Sequence, residues 1–159
     1  MDKSLTEAKR VFEAEIEELV KVKDRLDENF SKMVDMIYES SGKVVITGIG
    51  KSGHIGKKIS ATLASTGTNS VFINAAEALH GDLGVIKKGD IVLAISNSGN
   101  SDEISNILPS VRRIGADIIA FTGNKISALG KEADLIINIA IDKVACPRQL
   151  GPMPSGTVP

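Results

Sequence analysis

The chain has no tryptophan, one tyrosine and four phenylalanines among its 159 residues. So few aromatics exclude a stacking platform for single-stranded nucleic acid. The formal net charge is -1, so no basic field draws nucleic acid either. A single cysteine, Cys146, excludes an internal disulfide framework and a cysteine-rich zinc site. With two histidines, a structural zinc site would have to recruit carboxylates. No apolar run approaches the ~18 residues of a membrane span. The first residues, MDKSLTEAKRVFEAEIEELV, are charged throughout and contain no apolar signal core. The expectation is a cytoplasmic protein with neither a membrane nor a nucleic acid as partner.

What is present is the composition of an ordinary globular domain. Hydrophobic residues make up 42% and charged residues 25%, which excludes disorder along the whole chain. The length suits one compact domain.

Residues 4–39 contain no glycine or proline. Leu5, Ala8, Phe12, Ile16, Leu19, Val20, Leu26, Phe30, Val34 and Ile37 recur three or four apart, which is helix periodicity. Glu13, Glu17, Glu18, Lys21, Lys23 and Asp24 fall on the opposite face. A break is expected around residues 27–31. Such a helix packs on its own domain or on another subunit, and the pattern leaves both open.

From Ser41 the texture changes. Short β-branched runs at 43–47, 70–73, 90–95, 117–121 and 135–141 alternate with helical patterns. A short helical turn is expected within 75–80 and a helix over 126–131. The runs are apolar on both faces, so they read as strands buried on both faces in a parallel sheet. The predicted fold is α/β, a doubly wound five-stranded parallel sheet flanked by helices and preceded by a long helical segment. The division is a helical segment over 1–40, a domain over 41–147 and an irregular tail over 148–159. The stretch from Cys146 onward carries four of the five prolines.

Two loops follow strands and therefore fall on the carboxyl edge of the sheet, where such folds bind ligands. The first, Gly48-Ile49-Gly50-Lys51-Ser52-Gly53, matches G-x-G-x-x-G between strand and helix. Glycines there let backbone N–H groups approach an anion. A dinucleotide site would add an acid at the end of the second strand. That strand ends Ile73-Asn74, and Glu77 comes three residues later. A phosphate-binding loop of the NTPase type fails on spacing, because Val45 stands where its first glycine must be. A tight strand-to-helix turn would explain the glycines but not Lys51.

The second loop, Ser96-Asn97-Ser98-Gly99-Asn100-Ser101-Asp102-Glu103, offers three hydroxyls and two amides at a helix start. Hydroxyls and helix N-terminal amides can ring a phosphate without a metal. The plainer alternative is a helix cap by Ser101 or Ser98, which needs only one hydroxyl. A third stretch, Ala76-Glu77-Ala78-Leu79-His80-Gly81-Asp82-Leu83, puts His80 at the same edge.

GIGKSGHIGKKISATLASTGT, AEALHGDLG and ISNSGNSDEI resemble the sugar isomerase (SIS) domain family, and within it the D-arabinose-5-phosphate isomerase group. The resemblance covers about residues 5–147. It implies a five-stranded parallel sheet of flavodoxin-like type, a homo-oligomer (dimer or tetramer), and a phosphate held by the serine loop. It implies a small-molecule sugar phosphate as partner, with aldose–ketose conversion through an enediol. D-Arabinose 5-phosphate and D-ribulose 5-phosphate would interconvert to supply 3-deoxy-octulosonate, with no redox cofactor and no metal. Matching positions make Lys51, His80 and Glu103 the catalytic residues. Gly50, Ser52, His80, Ser96, Asn97, Ser98 and Ser101 would contact substrate. Gly67 and Thr68 also match a substrate contact, but they fall at the opposite sheet end, where they would serve a neighbouring subunit.

The chain departs from that pattern at four places. Val144 stands where the family has Glu before Ala-Cys-Pro, and Asn74 where many members have His. After Cys146-Pro147 the family continues into a long helix and a later His-Pro-Gly-Gly, whereas here RQLGPMPSGTVP follows. Paired CBS regulatory domains are absent from the sequence. The expectation is a truncation or a shifted reading frame that impairs catalysis. The rival reading is a non-catalytic module that binds a sugar phosphate.

Overall fold

The computed structural model describes residues 2–142. The expected tail at 148–159 and the departures at Val144 and Cys146-Pro147 lie outside the described residues.

Two helices lead. α1 spans Lys3–Arg25 and α2 spans Glu28–Glu39. They break at Leu26-Asp27, where Asp27 turns outward and its carboxylate accepts from Asn29 N at 3.0 Å, capping α2. Strands and helices then alternate: β1 (Val44–Gly48), α3 (Gly50–Ser65), β2 (Ser70–Asn74), α4 (Ala75–Ala78), a 3-10 turn (Asp82–Val85), β3 (Ile91–Ile95), α5 (Asp102–Ile114), β4 (Asp117–Thr122), α6 (Ala128–Glu132) and β5 (Leu135–Asn138).

All strand pairs are parallel, in the order β2-β1-β3-β4-β5. The order reverses between β1 and β3, so the crevice of such a fold opens there at the carboxyl edge. Both faces of the sheet are covered. Val45, Val92, Ala94, Ile118 and Ala120 pack with Ile104, Ile107 and Leu108 of α5. Val44, Ile46, Leu93 and Ile95 turn to the other face, with Ile59 and Leu63 of α3. Successive strand residues point to opposite faces, so two buried faces give the continuous apolar runs seen in the sequence.

β5 ends at Asn138, three residues before the expected boundary. Asn138 Oδ1 accepts from Ala140 N at 3.0 Å and bends the chain away from the ladder. β3 begins one residue later than expected, because Asp90 braces the turn before it. Its carboxylate accepts from Lys43 Nζ at 2.5 Å, Lys43 N at 3.0 Å and Lys87 N at 2.7 Å. Burial alone would raise the pKa of this carboxyl, but the Lys43 and Lys87 hydrogen bonds outweigh it and hold the group below its usual range. A depressed folded pKa stabilises the fold above the unfolded value of about 3.9, and that stability is lost as pH falls through the folded value. Asp90→Asn is expected to cost about 2 kcal/mol at neutral pH and to flatten the acid limb of stability below about pH 4. Urea titrations at pH 7 and pH 3 check both; an unchanged acid limb would assign the acid sensitivity elsewhere.

α1 presents the reverse of the expected orientation in part. Glu18, placed on the polar face by periodicity, is 1% exposed. Its carboxylate accepts from Lys21 Nζ at 2.7 Å and from Asp142 N at 2.8 Å. Lys21 and Arg25 both pair with Asp142, at 3.3 and 2.9 Å, and Arg25 also donates to Ala140 O. These partners raise the Lys21 pKa, led by its hydrogen bond to Glu18, and lower that of Asp142, led by Lys21. The inner face of α1 therefore mixes Glu18, Lys21 and Arg25 with half-buried Val11, Ala14 and Val22, while Phe12, Ile16 and Leu19 are exposed.

Candidate functional site

The carboxyl ends of β1 and β3 each release the chain into a helix start. At β1, Ile49 is extended and Gly50 takes φ +51 as α3 begins. That left-handed φ favours glycine. The other glycines of the loop serve close approach. A Cβ on Gly53 would lie 3.1 Å from Gly48 O, and one on Gly56 would lie 3.0 Å from Phe72 and 3.1 Å from Ile46. α3 thus lies hard against β1 and β2. Lys51 and Ser52 occupy its first turn, where backbone N–H groups have no intrahelical acceptor. Lys51 is exposed and Ser52 half-buried.

At β3 the serine loop folds on itself. Ser96 is 5% exposed; its Oγ accepts from Gly99 N at 3.1 Å and lies 3.1 Å from Ser101 Oγ. Ser98 is exposed, and its Oγ accepts from Asn100 N at 3.3 Å. Ser101 does stand at the N-cap of α5, but its side chain makes no capping bond. The plain capping explanation is therefore not what the hydroxyls do. They shape a loop whose remaining donor capacity stays with Ser98 and Ser101. Glu103, half-buried, is in the first turn of α5, next to the free N–H groups of that helix.

His80 follows α4, which packs against α5. His80 is exposed, with its backbone N donating to Glu77 O at 2.9 Å. Gly81 next to it adopts φ +136. β1, β2 and β3 are neighbours, so Gly50, Lys51, Ser52, His80, Ser96, Asn97, Ser98, Ser101 and Glu103 all share one edge of the sheet. Asn74 is taken up locally: its Oδ1 caps α4 by accepting from Ala76 N at 3.0 Å, which leaves the end of β2 without the acid a dinucleotide ribose needs.

Gly67 and Thr68 are not brought to that edge. They precede β2 at the amino end of the sheet, a strand length of roughly 16 Å away. There they line a cavity of about 670 Å³ with Met33, Ile37, Tyr38 and Leu63.

The structure adds residues that sequence reasoning passed over. The segment from Thr122 to Ala128 buttresses the serine loop from behind. Asn97 O accepts from Gly123 N at 2.9 Å and Thr122 Oγ1 at 3.3 Å. Gly99 O accepts from Leu129 N at 3.0 Å, and Asn100 Oδ1 from Ala128 N at 2.9 Å. Ser127 Oγ donates to Asn124 O at 2.6 Å and accepts from Gly130 N at 3.1 Å. The available signal was F-T-G-N-K-I-S running out of the end of a strand, a third polar loop at the same edge. Thr47 Oγ1 and Asn97 Oδ1 are buried without a hydrogen-bond partner among the described residues. Thr47 is near the carboxyl end of β1 and Asn97 just beyond that of β3, the two strands that flank the switch point.

A parallel sheet with a glycine loop and a serine loop flanking its switch point defines a doubly wound α/β domain, and the chain belongs to the SIS domain family, whose match spans residues 36–158. It is 46% identical over 160 residues to arabinose 5-phosphate isomerase KdsD of Francisella tularensis subsp. tularensis, covering 99% of this chain and 49% of that relative. It is 48% identical over 134 residues to the Pseudomonas aeruginosa enzyme of the same name, covering 84% of this chain and 41% of that one. The chain spans about half the length of the curated relatives it matches. A solved E. coli CFT073 protein in complex with arabinose 5-phosphate superposes with a TM-score of 0.93 at 38% identity, over 99% of this chain and 85% of the other.

Proposed function

We propose that the chain is an aldose–ketose isomerase module that interconverts D-arabinose 5-phosphate and D-ribulose 5-phosphate, with a turnover reduced by the departures at Val144 and after Pro147. The observation that carries this reading is the pre-shaped serine loop beside the first turn of α3 at the switch point. Ser52, Ser98 and Ser101 with the N–H groups of two helix starts hold the phosphate, and Ser96 and Asn97 fix the loop. The reaction removes the C2 proton of the aldose, passes through an enediol and returns a proton to C1. Glu103 carries that proton. Lys51 offsets the negative charge of the enediolate, and His80 polarises the carbonyl or opens the sugar ring. Relatives named for this activity, and a neighbour holding this sugar phosphate, support the reading.

The finer parts belong to the same proposal. The product feeds 3-deoxy-octulosonate synthesis in the cytoplasm; no helix among the described residues is long and apolar enough to cross a membrane. Residues 1–40 form a helical segment, 41–147 the catalytic domain and 148–159 a tail. The protein is a homo-oligomer, in which Gly67 and Thr68 serve a neighbouring subunit's site.

A pentose 5-phosphate at a hundredfold excess over its dissociation constant should stabilise the fold by about 2.7 kcal/mol, raising Tm by roughly 5–10 °C for a domain of this size. Ser98→Ala with Ser101→Ala should remove most of that shift. A thermal scan with millimolar arabinose 5-phosphate tests it. No shift in a folded sample would end the binding claim, and a larger shift with NADH would favour a dinucleotide.

A further inference from the structure

α3 carries Lys51, His54, Lys57 and Lys58 in its first nine residues and no aspartate or glutamate along its whole length. All four residues are exposed. None of the three lysines forms an ion pair among the described residues. The leading helices behave differently. Arg10 pairs with Glu7, Lys21 with Glu18 and Lys32 with Glu28, at the spacing where helix side chains meet. α3 offers its lysines no such partner. Its N-terminus also carries the positive end of the helix dipole, which disfavours a cation in the first turn. An arrangement that local helix physics opposes points to a use.

Lys57 holds its place without an acid. Its Nζ lies 5.4 Å from the centre of the Phe72 ring, a contact that leaves the positive charge uncancelled. Lys58 follows Lys51 by two turns along the same side of the helix, about 10 Å away. In a helix the Cα–Cβ bonds tilt toward the N-terminus, so these stems lean toward the carboxyl edge of the sheet. α3 covers one face of the sheet, and α4 and α5 cover the other. Glu77, Asp102 and Glu103 belong to that second side. The crevice thus has a positive wall at α3 and an acidic one at α4 and α5.

We propose that Lys57 and Lys58 form an electrostatic approach to the site, drawing the doubly charged phosphate of the substrate to the first turn of α3 without touching it once bound. This deepens the sugar-phosphate reading and rests on it. A phosphate monoester carries close to two negative charges above its second pKa of about 6. Two unit charges about 12 Å from such a dianion in water, with a screening length of about 30 Å, change its affinity about fivefold. A neutral sugar gains nothing from them, so the pair favours phosphorylated over free pentoses.

The probe for the test is D-arabinitol 5-phosphate, which lacks the carbonyl and cannot isomerise, so binding is read apart from turnover. Isothermal titration calorimetry at about pH 8, where the phosphate is a dianion, compares the wild-type chain with Lys57→Gln/Lys58→Gln. Glutamine is a good helix former, and circular dichroism shows that each protein is folded. In about 10 mM salt the double variant should raise Kd about fivefold. In about 1 M salt, where the screening length falls to about 3 Å, the two Kd values should coincide. Lys87→Gln/Lys88→Gln removes the same charge from exposed residues before β3, at the amino edge, and should change Kd less than about twofold. A wild-type chain that does not bind the probe overturns the sugar-phosphate reading and this inference with it. Binding that the α3 pair leaves unchanged, or weakens equally at both ionic strengths, overturns the approach alone. A remote pair with the same effect as the α3 pair does so too.

Discussion

Glu103→Gln is expected to lower the turnover number for arabinose 5-phosphate by about 100- to 10,000-fold, the range for loss of a positioned acid–base group. The amide keeps the shape of the side chain but cannot take a proton from C2. Glu103 lies in the first turn of α5, one residue before the fully buried Ile104, so its backbone is firmly placed. Losing a carboxylate at a helix start costs only ~0.3–1 kcal/mol, so the fold survives. KM should change little, because the substitution leaves the proposed phosphate contacts, in the serine loop and at the start of α3, unaltered. A split of this kind marks an interaction made in the transition state. The measurement is kcat and KM for ribulose 5-phosphate formation. An unaltered kcat would remove Glu103 from the mechanism.

Gly99→Ala should produce the second large effect, by a different route. Gly99 holds φ +66, where an alanine costs roughly 1–2 kcal/mol. Its Cβ would overlap Ser127 Oγ and come within 2.8 Å of Thr122 Oγ1. Both neighbours are buried and hydrogen-bonded, Thr122 to Asn97 O and Ser127 to Asn124 O. The methyl must therefore push the serine loop off its buttress, adding about 1–3 kcal/mol of overpacking. The expected outcome is a fold weakened by about 3 kcal/mol in total and no measurable protection by pentose 5-phosphate. Denaturant titration and a thermal scan with ligand read the two parts separately. Retained protection would show that the buttress does not set the loop. The contrast with Glu103→Gln is useful, since one variant loses chemistry and keeps binding while the other loses binding first.

The place of the proposed site was legible because it is local. A strand followed at once by Gly-Ile-Gly-Lys-Ser-Gly, or by Ser-Asn-Ser-Gly, fixes the sheet edge where those residues fall. The same logic puts Gly67 and Thr68 at the other edge, since they follow a helix and precede a strand. The buttress was missed because it joins residues some 25 positions apart, as Thr122 to Asn97. Nothing in F-T-G-N-K-I-S says which neighbouring loop it will touch until β3 and β4 pair.

The sequence by itself determined the element order, the parallel sheet and the places of the two glycine- and serine-rich loops, because period, β-branched runs and glycine positions are short-range properties of a chain. Only the tertiary structure decided the strand order β2-β1-β3-β4-β5 and hence which two loops flank the crevice. It also decided which side of α1 is inside. Periodicity shows that a helix has two unlike faces but not which one meets the domain. Here Glu18, Lys21 and Arg25 find Asp142 and the chain leaving β5, so charge pairing with a distant segment drew these three inward and left Phe12, Ile16 and Leu19 exposed.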